Sequence, residues 1–255
     1  MKTVLISGST SGIGLGIARE FVKSGYHILF NGLEKEGPQI ADYFSKEYGI
    51  KCIHHNANML EPLEIINMVK EAEKHFGGVD VLICNAGIQY VSAIDEFPED
   101  KWSAILGINL TSVFHLSKAV WGKMKKNKWG RIINIASAHA LVGSEFKSAY
   151  VASKHGLAGL TKVLALEGAP FGITANAICP GYVKTALVEK QIYDQAKTHG
   201  ISEEEVISKV MLNKHAVKEF VNIESIGKLA LYLASEDACM ITGTTIPIDG
   251  GWSAR

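Results

Sequence analysis

The chain begins Met1-Lys2 and continues Thr3-Val4-Leu5-Ile6-Ser7-Gly8-Ser9-Thr10-Ser11-Gly12-Ile13-Gly14, a short apolar run followed at once by a glycine-rich loop. The pattern at 13–24 predicts a helix that begins inside this loop. Glycines at such a junction let the backbone turn sharply and approach a pyrophosphate, while the start of the helix offers free N–H groups. The spacing is G-x-x-x-G-x-G rather than the common G-x-G-x-x-G motif. Because many loops need glycine only for a positive φ, the position between strand and helix is what predicts a dinucleotide site.

Strand-like and helix-like segments alternate along the rest of the chain. Most strand-like runs are continuously apolar, which is typical of strands covered on both faces. They fall at 3–7, 27–30, 51–55, 79–84, 130–136, 174–179 and 245–248, with helical patterns near 13–24, 36–48, 61–76, 98–126, 149–168 and 223–235. This alternation predicts an α/β fold: a single-domain, Rossmann-type, doubly wound parallel sheet of about seven strands with helices on both faces.

No linker or low-complexity tract interrupts the sequence, so residues 1–255 are expected to form one domain. The segment at about 185–222 carries a charged run at 203–205 and a weak packing pattern. These features predict an insertion that covers the site as a substrate lid. A pair of solvated helices explains the same charges.

Composition argues against several functional classes. The 255 residues are 47% hydrophobic, enough for a sizeable core, and Lys plus Arg equals Asp plus Glu at 26 each. This balance predicts no nucleic acid and no membrane as partner. Four widely spaced cysteines fit a reducing cytosol, and no apolar run approaches the roughly 18 residues of a membrane span. A soluble, cytoplasmic protein is expected, and with no His/Asp/Glu cluster at ligand spacing no metal is expected.

The second strand leads into Asn31-Gly32-Leu33-Glu34, the region where a dinucleotide's ribose is usually read. An NADP site usually needs a cation here or in the glycine loop, and Lys35 is the only one nearby. An acid on the ribose would favour NAD, but the strand-end position is Asn31, and Glu34 comes three residues later. NAD is predicted mainly because this stretch offers little to pair with a 2′-phosphate.

Tyr150 and Lys154 are four residues apart in the predicted helix 149–168, downstream of Ser137. An i, i+4 pair projects from one helix face, with Cβ atoms about 5–6 Å apart. A tyrosine titrates near about pH 10, and a neighbouring ammonium lowers that pKa, which turns the phenol into a usable proton shuttle. An ordinary half-buried helix face has the same pattern, so the pair needs support from the rest of the chain.

That support is a set of motifs in the order and spacing of the short-chain dehydrogenase/reductase family. They are Gly8-x3-Gly12-Ile13-Gly14, Asn85-Ala86-Gly87, Asn109, Ser137, Tyr150-x3-Lys154 and Pro180-Gly181. The resemblance covers essentially the whole chain and implies an NAD-dependent oxidoreductase. It also implies a homotetramer built on the helices near 98–126 and 149–168, although a buried internal face would give these helices the same pattern.

The resemblance implies a role for each catalytic residue. Tyr150 would act as general base toward a hydroxyl and as general acid toward a ketone. Lys154 would lower the pKa of Tyr150 and hold the nicotinamide ribose, and Ser137 would polarise the substrate oxygen. Asn109 would hold a water that links Lys154 to solvent; a helix-kink amide is the structural alternative.

The resemblance also implies which residues contact the NAD. These are Gly8, Thr10, Ser11, Gly12, Ile13, Gly14, Leu33, Asn58, Asn85, Ala86, Gly87, Tyr150, Lys154, Pro180, Gly181, Val183 and Thr185.

Residues 85–89, 134–139, 145–150, 177–183 and 249–252 resemble more closely the bacterial members of the family that interconvert D-3-hydroxybutyrate and acetoacetate. This implies a small hydroxy or keto acid as substrate. Besides Ser137 and Tyr150 at the reacting oxygen, Gln89, His139, Lys147 and Gln191 would hold its carboxylate, with Trp252 beside its methyl group. Taken singly, each could be a solvated lysine, a turn residue, a histidine bonded to backbone or a core tryptophan.

Three residues depart from the family pattern. Cys84 replaces an asparagine, Asn58 stands where an aspartate usually accepts from adenine, and Tyr182 stands where relatives can carry tryptophan. These changes bear on cofactor affinity and substrate size. Other functions stay open at this point. A relative acting on a sugar acid, a 3-oxoacyl thioester or a polyol would keep the proton-transfer residues, whereas a non-catalytic cofactor sensor predicts that they are broken.

Overall fold

The computed structural model describes residues 1–185, 188–189, 192–193, 196–197 and 200–254. Its strands are β1 (Thr3–Ile6), β2 (His27–Asn31), β3 (Cys52–His55), β4 (Val81–Cys84), β5 (Gly130–Ile135), β6 (Ile173–Pro180) and β7 (Thr245–Ile248). They form a seven-stranded sheet in the order β3-β2-β1-β4-β5-β6-β7, and each pairing is parallel. The predicted doubly wound parallel sheet is therefore confirmed. The strand order reverses between β1 and β4, the place where such sheets open a crevice at their carboxyl ends.

The longer helices are α1 (Gly12–Lys23), α2 (Gly37–Tyr48), α3 (Pro62–Phe76), α4 (Glu99–Leu106), α5 (Ser112–Asn127), α6 (Ser148–Gly168) and α7 (Ile223–Leu233). Local chemistry accounts for several of their ends. Proline lies in the first turn of α3, where its missing N–H costs no hydrogen bond. The side chain of Asn222 caps α7 by accepting from the Glu224 N–H at 2.8 Å.

The prediction of a single helix at 98–126 is wrong in one respect. It is divided by a π-helical segment, Gly107–Thr111, that lies between α4 and α5. The interruption centres on Asn109, whose side chain bonds to the backbone of Ile88. A π-helical turn accommodates an extra residue and is frequent at functional sites.

Alternate residues of each central strand enter two separate cores. Val4 and Ile6 face a core formed with α1, α2 and α7, whereas Leu5 faces one formed with α3, α5 and α6. Both faces of the sheet are therefore covered, which is why the strands are continuously apolar.

A third, small apolar cluster lies apart from the sheet. It contains Ile192, Val206 and Met211, with Tyr182 and Phe220 packed against it. A helical turn at Glu203–Glu205 begins with a capping box on Ser202 and runs into a π-helical segment, Val206–Met211. The described part of the chain contains no helix that is both long and apolar enough to cross a membrane.

Candidate active site

Side chains of the Asn85-Ala86-Gly87 motif tie the glycine loop to the end of β4. The amide of Asn85 donates to the carbonyl oxygens of Ser7 (3.0 Å) and Gly8 (2.7 Å). The Ser7 hydroxyl accepts from the backbone N–H groups of Asn85 (3.0 Å) and Ala86 (3.1 Å). A Cβ on Gly14 would lie 2.2 Å from the Gly8 carbonyl oxygen, so the start of α1 packs against the loop only because residue 14 is glycine.

The start of α1 fits a pyrophosphate. Ser11 caps the helix in an extended conformation, with no side-chain bond to the first-turn N–H groups. Those groups carry the positive end of the helix dipole. Gly8 has φ 61°, and its N–H donates to Oδ1 of Asn31 at 3.1 Å. The strand-end asparagine thus positions the loop.

Glu34 folds back onto the glycine loop, a contact that its position in the sequence did not indicate. Its carboxylate accepts from the hydroxyl of Thr10 and from that of Ser11 at 3.4 Å. Gly32 permits this return, since a Cβ there would lie 2.0 Å from the Thr10 hydroxyl. The bond from Thr10 lowers the pKa of Glu34, and partial burial opposes that shift. An ionised carboxylate therefore lies beside the loop.

Two other residues predicted to contact the adenosine lie near this end of the sheet. Leu33 is 67% exposed, and Asn58 follows β3. The Oδ1 of Asn58 already accepts from the Leu60 N–H at 3.0 Å. An amide oxygen has two lone pairs, so one further bond from an adenine amino group is available.

Ser137, Tyr150 and Lys154 meet at the carboxyl end of β5. Ser137 lies two residues beyond that strand, and Tyr150 lies in the first turn of α6. The Nζ of Lys154 lies 5.6 Å from the centroid of the Tyr150 ring and donates to the Ile135 carbonyl oxygen at 2.8 Å. Strand and helix thus hold the hydroxyl, the phenol and the ammonium together.

Burial dominates the acidity of this group. It lowers the pKa of Lys154 to about 8, because a buried ammonium loses hydration. Burial also raises the pKa of Tyr150, and the neighbouring Ser137 hydroxyl opposes that rise by favouring the phenolate. The lowered tyrosine pKa expected from the sequence is therefore not found.

Asn109 is 1% exposed in the π-helical segment. Its amide donates to the Ile88 carbonyl oxygen (3.0 Å) and to the Ser153 hydroxyl (3.2 Å). Its Oδ1 accepts from the Ile88 N–H at 2.9 Å. The kink-capping alternative is thus present, and the amide oxygen retains one lone pair for a water.

His139 joins the proton-transfer residues to the predicted carboxylate residues. Its Nδ1 lies 3.2 Å from the Ser137 hydroxyl, and its ring packs edge-on against Tyr150 and Trp252 at 5.7 and 5.0 Å. Burial lowers the pKa of His139 to about 3, with Lys147 adding to the effect, so the ring is neutral. Its Nε2 is buried, and no partner for it exists among the described residues. His139 is also among the residues that line the cavity.

One cavity of about 960 Å³ is lined by most of the residues that were predicted to contact cofactor or substrate. Its lining includes Ile13, Asn85, Gly87, Gln89, Ser137, His139, Lys147, Tyr150, Lys154, Gly181, Val183, Thr185 and Trp252. The lining leaves out Gly8, Thr10, Ser11, Gly12, Gly14, Leu33, Asn58, Ala86, Asn109 and Pro180. Gln191 lies outside the described residues.

Tyr182, the residue that departs from the tryptophan of some relatives, lines the cavity. Its ring stacks on Trp252 with centroids 5.5 Å apart and an interplanar angle of 7°. Its backbone N–H donates to Nε2 of His215 at 3.3 Å. No sequence motif includes His215, which is fully buried and packs against the rings of Tyr182 and Trp252.

Cys84, which replaces the asparagine of the family pattern, lies at the end of β4. Cys84 pairs in register with Asn134 of β5, whose Nδ2 donates to the Thr161 hydroxyl at 2.9 Å. The Oδ1 of Asn134 is buried with no partner among the described residues. The small thiol in place of an amide thus leaves a neighbouring acceptor unsatisfied. Within the described ranges no group of three or more His, Cys, Asp or Glu could hold a metal ion.

Comparisons with known proteins agree with this geometry. Residues 2–196 match the family described as short chain dehydrogenase. The D-beta-hydroxybutyrate dehydrogenase of Rhizobium meliloti is 52% identical over 256 residues, covering 100% of this chain and 99% of the relative. The enzyme of the same name from Cupriavidus necator is 47% identical, covering 100% and 98%. A 3-oxoacyl-(acyl-carrier-protein) reductase of Buchnera aphidicola is 36% identical, covering 98% and 96%. With Ser137, Tyr150 and Lys154 on one cavity, these matches show that the chain belongs to the short-chain dehydrogenase family of oxidoreductases.

Proposed function

We propose that this oxidoreductase interconverts D-3-hydroxybutyrate and acetoacetate with NAD. One observation carries the proposal: the ring of His139 lies between the Ser137 hydroxyl and the Trp252 wall, with an unpartnered Nε2 beside the cavity that Lys147 also lines. The cavity therefore offers fixed partners both to the reacting oxygen of a short acid and to its carboxylate. The two relatives named D-beta-hydroxybutyrate dehydrogenase support the same substrate.

At the reacting end, Ser137 and Tyr150 bind the substrate oxygen and Tyr150 moves the proton. During alcohol oxidation the phenolate of Tyr150 accepts the hydroxyl proton, and during ketone reduction the phenol returns it. The Ser137 hydroxyl favours the phenolate and offsets part of the rise in the Tyr150 pKa that burial causes, and the Lys154 ammonium lies 5.6 Å from the ring centroid. A bound nicotinamide supplies the hydride acceptor or donor. We propose that Asn109 orders a water that connects Lys154 to solvent.

At the anionic end, Lys147 and His139 hold the carboxylate, with Gln89 at the rim and Gln191 as a further predicted donor. Trp252 then lies against the methyl side. A 3-oxoacyl thioester has no carboxylate at this distance from the reacting carbon. The cationic end of the cavity therefore favours the hydroxy acid over the thioester.

Glu34 supports NAD over NADP. Its carboxylate lies on the hydroxyls of Thr10 and Ser11 at the end of β2, where dinucleotide folds bind the ribose. An anion there repels a 2′-phosphate and can accept from a 2′-hydroxyl. The glycine loop and the first turn of α1 would hold the pyrophosphate, and Asn58 would accept from the adenine.

The proposal extends to the assembly and the lid. Residues 1–255 would act as one NAD-binding catalytic domain, working as a cytoplasmic homotetramer. Apolar side chains exposed on α5 and α6 support an interface there: Phe114 is 48% exposed and Leu166 is 78% exposed. The segment at about 185–222, which holds its own small cluster around Met211, would cover the substrate.

A substrate panel tests the proposal. Reduced-cofactor absorbance is followed with D-3-hydroxybutyrate, its L-enantiomer and gluconate, each with NAD and with NADP. We expect turnover of the D-enantiomer with NAD to exceed every other combination. Equal turnover of gluconate, or a preference for NADP, would contradict the substrate or the cofactor assignment respectively.

A further inference from the structure

His215 supports the aromatic wall of the cavity from behind. It is fully buried, and its ring centroid lies 6.0 Å from that of Tyr182, at an interplanar angle of 29°. The Trp252 ring is 5.7 Å away, at 35°. Tyr182 and Trp252 line the cavity, whereas His215 does not. The histidine therefore packs against the two wall rings without reaching the space that a substrate would occupy.

A hydrogen bond ties the His215 ring to the backbone of this wall. Its Nε2 accepts from the Tyr182 N–H at 3.3 Å, so the proton of the neutral ring is assigned to Nδ1. Burial lowers the pKa of His215, which keeps the ring neutral and Nε2 free to accept. A buried N–H without a partner costs about as much as a lost hydrogen bond. His215 thus satisfies the N–H of the residue whose side chain stacks on Trp252.

Two glycines leave room for the imidazole. A Cβ on Gly181 would lie 2.8 Å from both Cε1 and Nε2 of His215. A Cβ on Gly250 would lie 3.0 Å from Nδ1 of the same ring. The ring therefore fills a narrow slot between the Pro180-Gly181 motif and the turn that precedes Trp252. Because protein interiors are close-packed, a side chain in such a slot fixes the spacing of the two segments around it.

Backbone hydrogen bonds hold the segment that carries His215 against the same two parts of the chain. The Val217 N–H donates to the Gly250 carbonyl oxygen at 2.9 Å. The Val221 N–H donates to the Tyr182 carbonyl oxygen at 2.8 Å. The end of the proposed lid is thus attached to both sides of the wall, and His215 is the side chain that fills the space between them.

We propose that His215 is a positioning residue that holds the Tyr182 and Trp252 rings where they limit the cavity to a short acid. The inference rests on the proposed substrate, whose methyl group lies beside this wall. His215 acts through the two rings and takes no part in proton transfer. A fixed apolar wall distinguishes one methylene by about 10- to 200-fold, and a wall that shifts loses part of that discrimination. The preference for a four-carbon over a five-carbon acid then depends on His215.

Steady-state kinetics with NAD test this on D-3-hydroxybutyrate and on D-3-hydroxypentanoate, which is longer by one methylene. His215→Phe keeps a flat ring but leaves the Tyr182 N–H without its acceptor. We expect KM for D-3-hydroxybutyrate to rise about tenfold with kcat within about twofold of wild type, and the preference over the longer acid to fall about tenfold. His215→Gln, whose amide oxygen can accept from the same N–H, should retain most of that preference. His75→Phe, at an exposed site on α3, is the control and should behave as wild type.

Unchanged kinetics in His215→Phe would overturn the role of His215. An equal loss of turnover with both acids would overturn it too, because that is the result of damaged folding alone. The same holds if His215→Gln loses the preference as fully as His215→Phe does. Failure of the wild-type enzyme to oxidise D-3-hydroxybutyrate would instead refute the proposed function.

Nitrogen-15 NMR spectra of the histidine rings test the contact itself without any substrate, and they serve equally if His215→Phe does not fold. His215→Gln identifies the signals of His215. We expect the wild-type ring to carry its proton on Nδ1 and to have an unprotonated Nε2 at neutral pH. A protonated Nε2 has no lone pair to accept from the Tyr182 N–H, so its detection would overturn the inference whatever the substrate is.

Discussion

At one end of the cavity Ser137 and Lys154 are attached to the sheet, whereas at the other Lys147 reaches in from the turn before α6. Lys154 is 4% exposed and bonded to the β5 backbone at 2.8 Å. Lys147 follows Phe146, a non-glycine residue with a positive φ of 63°. Such a conformation costs of order 1 kcal/mol and occurs in irregular backbone.

The difference matches what each end has to do. Proton transfer depends on distances held within about half an ångström, which strands and helices provide. Holding a carboxylate by charge depends less steeply on distance, so loops suffice. Mutations at the sheet end are therefore expected to affect turnover, and mutations at the loop end to affect binding.

The largest effect is expected at the sheet end. Tyr150→Phe removes the hydroxyl that carries the proton and should lower kcat about 10²–10⁴-fold. Steady-state kinetics with D-3-hydroxybutyrate and circular dichroism measure activity and folding together. Tyr43→Phe, which alters a tyrosine that is 58% exposed, is the matched control. A folded Tyr150→Phe enzyme with normal kcat would refute the proton-transfer assignment.

Asn109 tests whether the π-helical segment supports the sheet end. Asn109→Ala leaves the Ile88 N–H and carbonyl without their partner and should reduce the free energy of unfolding by about 1–3 kcal/mol. Urea unfolding measures this, with Asn127→Ala on the exposed end of α5 as control. Turnover should fall as well. Loss of stability without loss of activity would mean that Asn109 only caps the helix kink and takes no part in the proton relay.

At the loop end the effect should appear in KM. Lys147→Met removes the cation that lines this end of the cavity and should raise KM for D-3-hydroxybutyrate about tenfold, with kcat within about twofold of wild type. Lys46→Met, an exposed site on α2, is the control. If kcat fell as far as in Tyr150→Phe, the division between the two ends would not hold.

A smaller effect is expected at the cofactor. Glu34→Gln removes one negative charge beside the glycine loop and should raise kcat/KM with NADP about fivefold, since one charge pair at about 4 Å in water is worth about 1 kcal/mol. Kinetics with NAD and NADP in parallel measure the change. Glu36→Gln, two residues along and exposed, should leave the ratio unaltered. An unaltered ratio in Glu34→Gln would exclude Glu34 as a cofactor determinant.

His139 should show no protonation in the working range. With its pKa lowered to about 3 from an ordinary 6.5, the imidazole stays neutral between pH 5 and 8. The unfolded chain binds the proton first, so the contribution of His139 to stability is present above about pH 6.5 and is lost as pH falls toward 3. NMR spectra of the histidine rings, with His139→Gln used for assignment, should show one ring that does not titrate. Titration near pH 6.5 would contradict the buried neutral ring.

Sequence reasoning succeeded where the physical signal is local. The strands at 27–30 and 79–84 could be predicted because they are short, largely apolar and, over most of their length, buried on both faces. At 98–126 the sequence indicated a helix kink only as an alternative role for Asn109, because the hydrogen bonds between that amide and the Ile88 backbone join residues 21 positions apart. The contact of Glu34 with the glycine loop could not be predicted for the same reason. Its partner Thr10 lies 24 residues away, and the contact requires a glycine at 32.

The amino-acid sequence alone determined the parallel sheet, the glycine loop and the pairing of Tyr150 with Lys154, because hydrophobic periodicity and helical spacing are properties of neighbouring residues. The resemblance to the short-chain dehydrogenases added Ser137 to that pair. Only the tertiary structure decided that Tyr182 stacks on Trp252 at the cavity wall and that the buried His215 packs against both rings. Those contacts arise when the segment before α7 folds against the C-terminal turn. Chain segments that meet only after folding carry no shared pattern in the sequence.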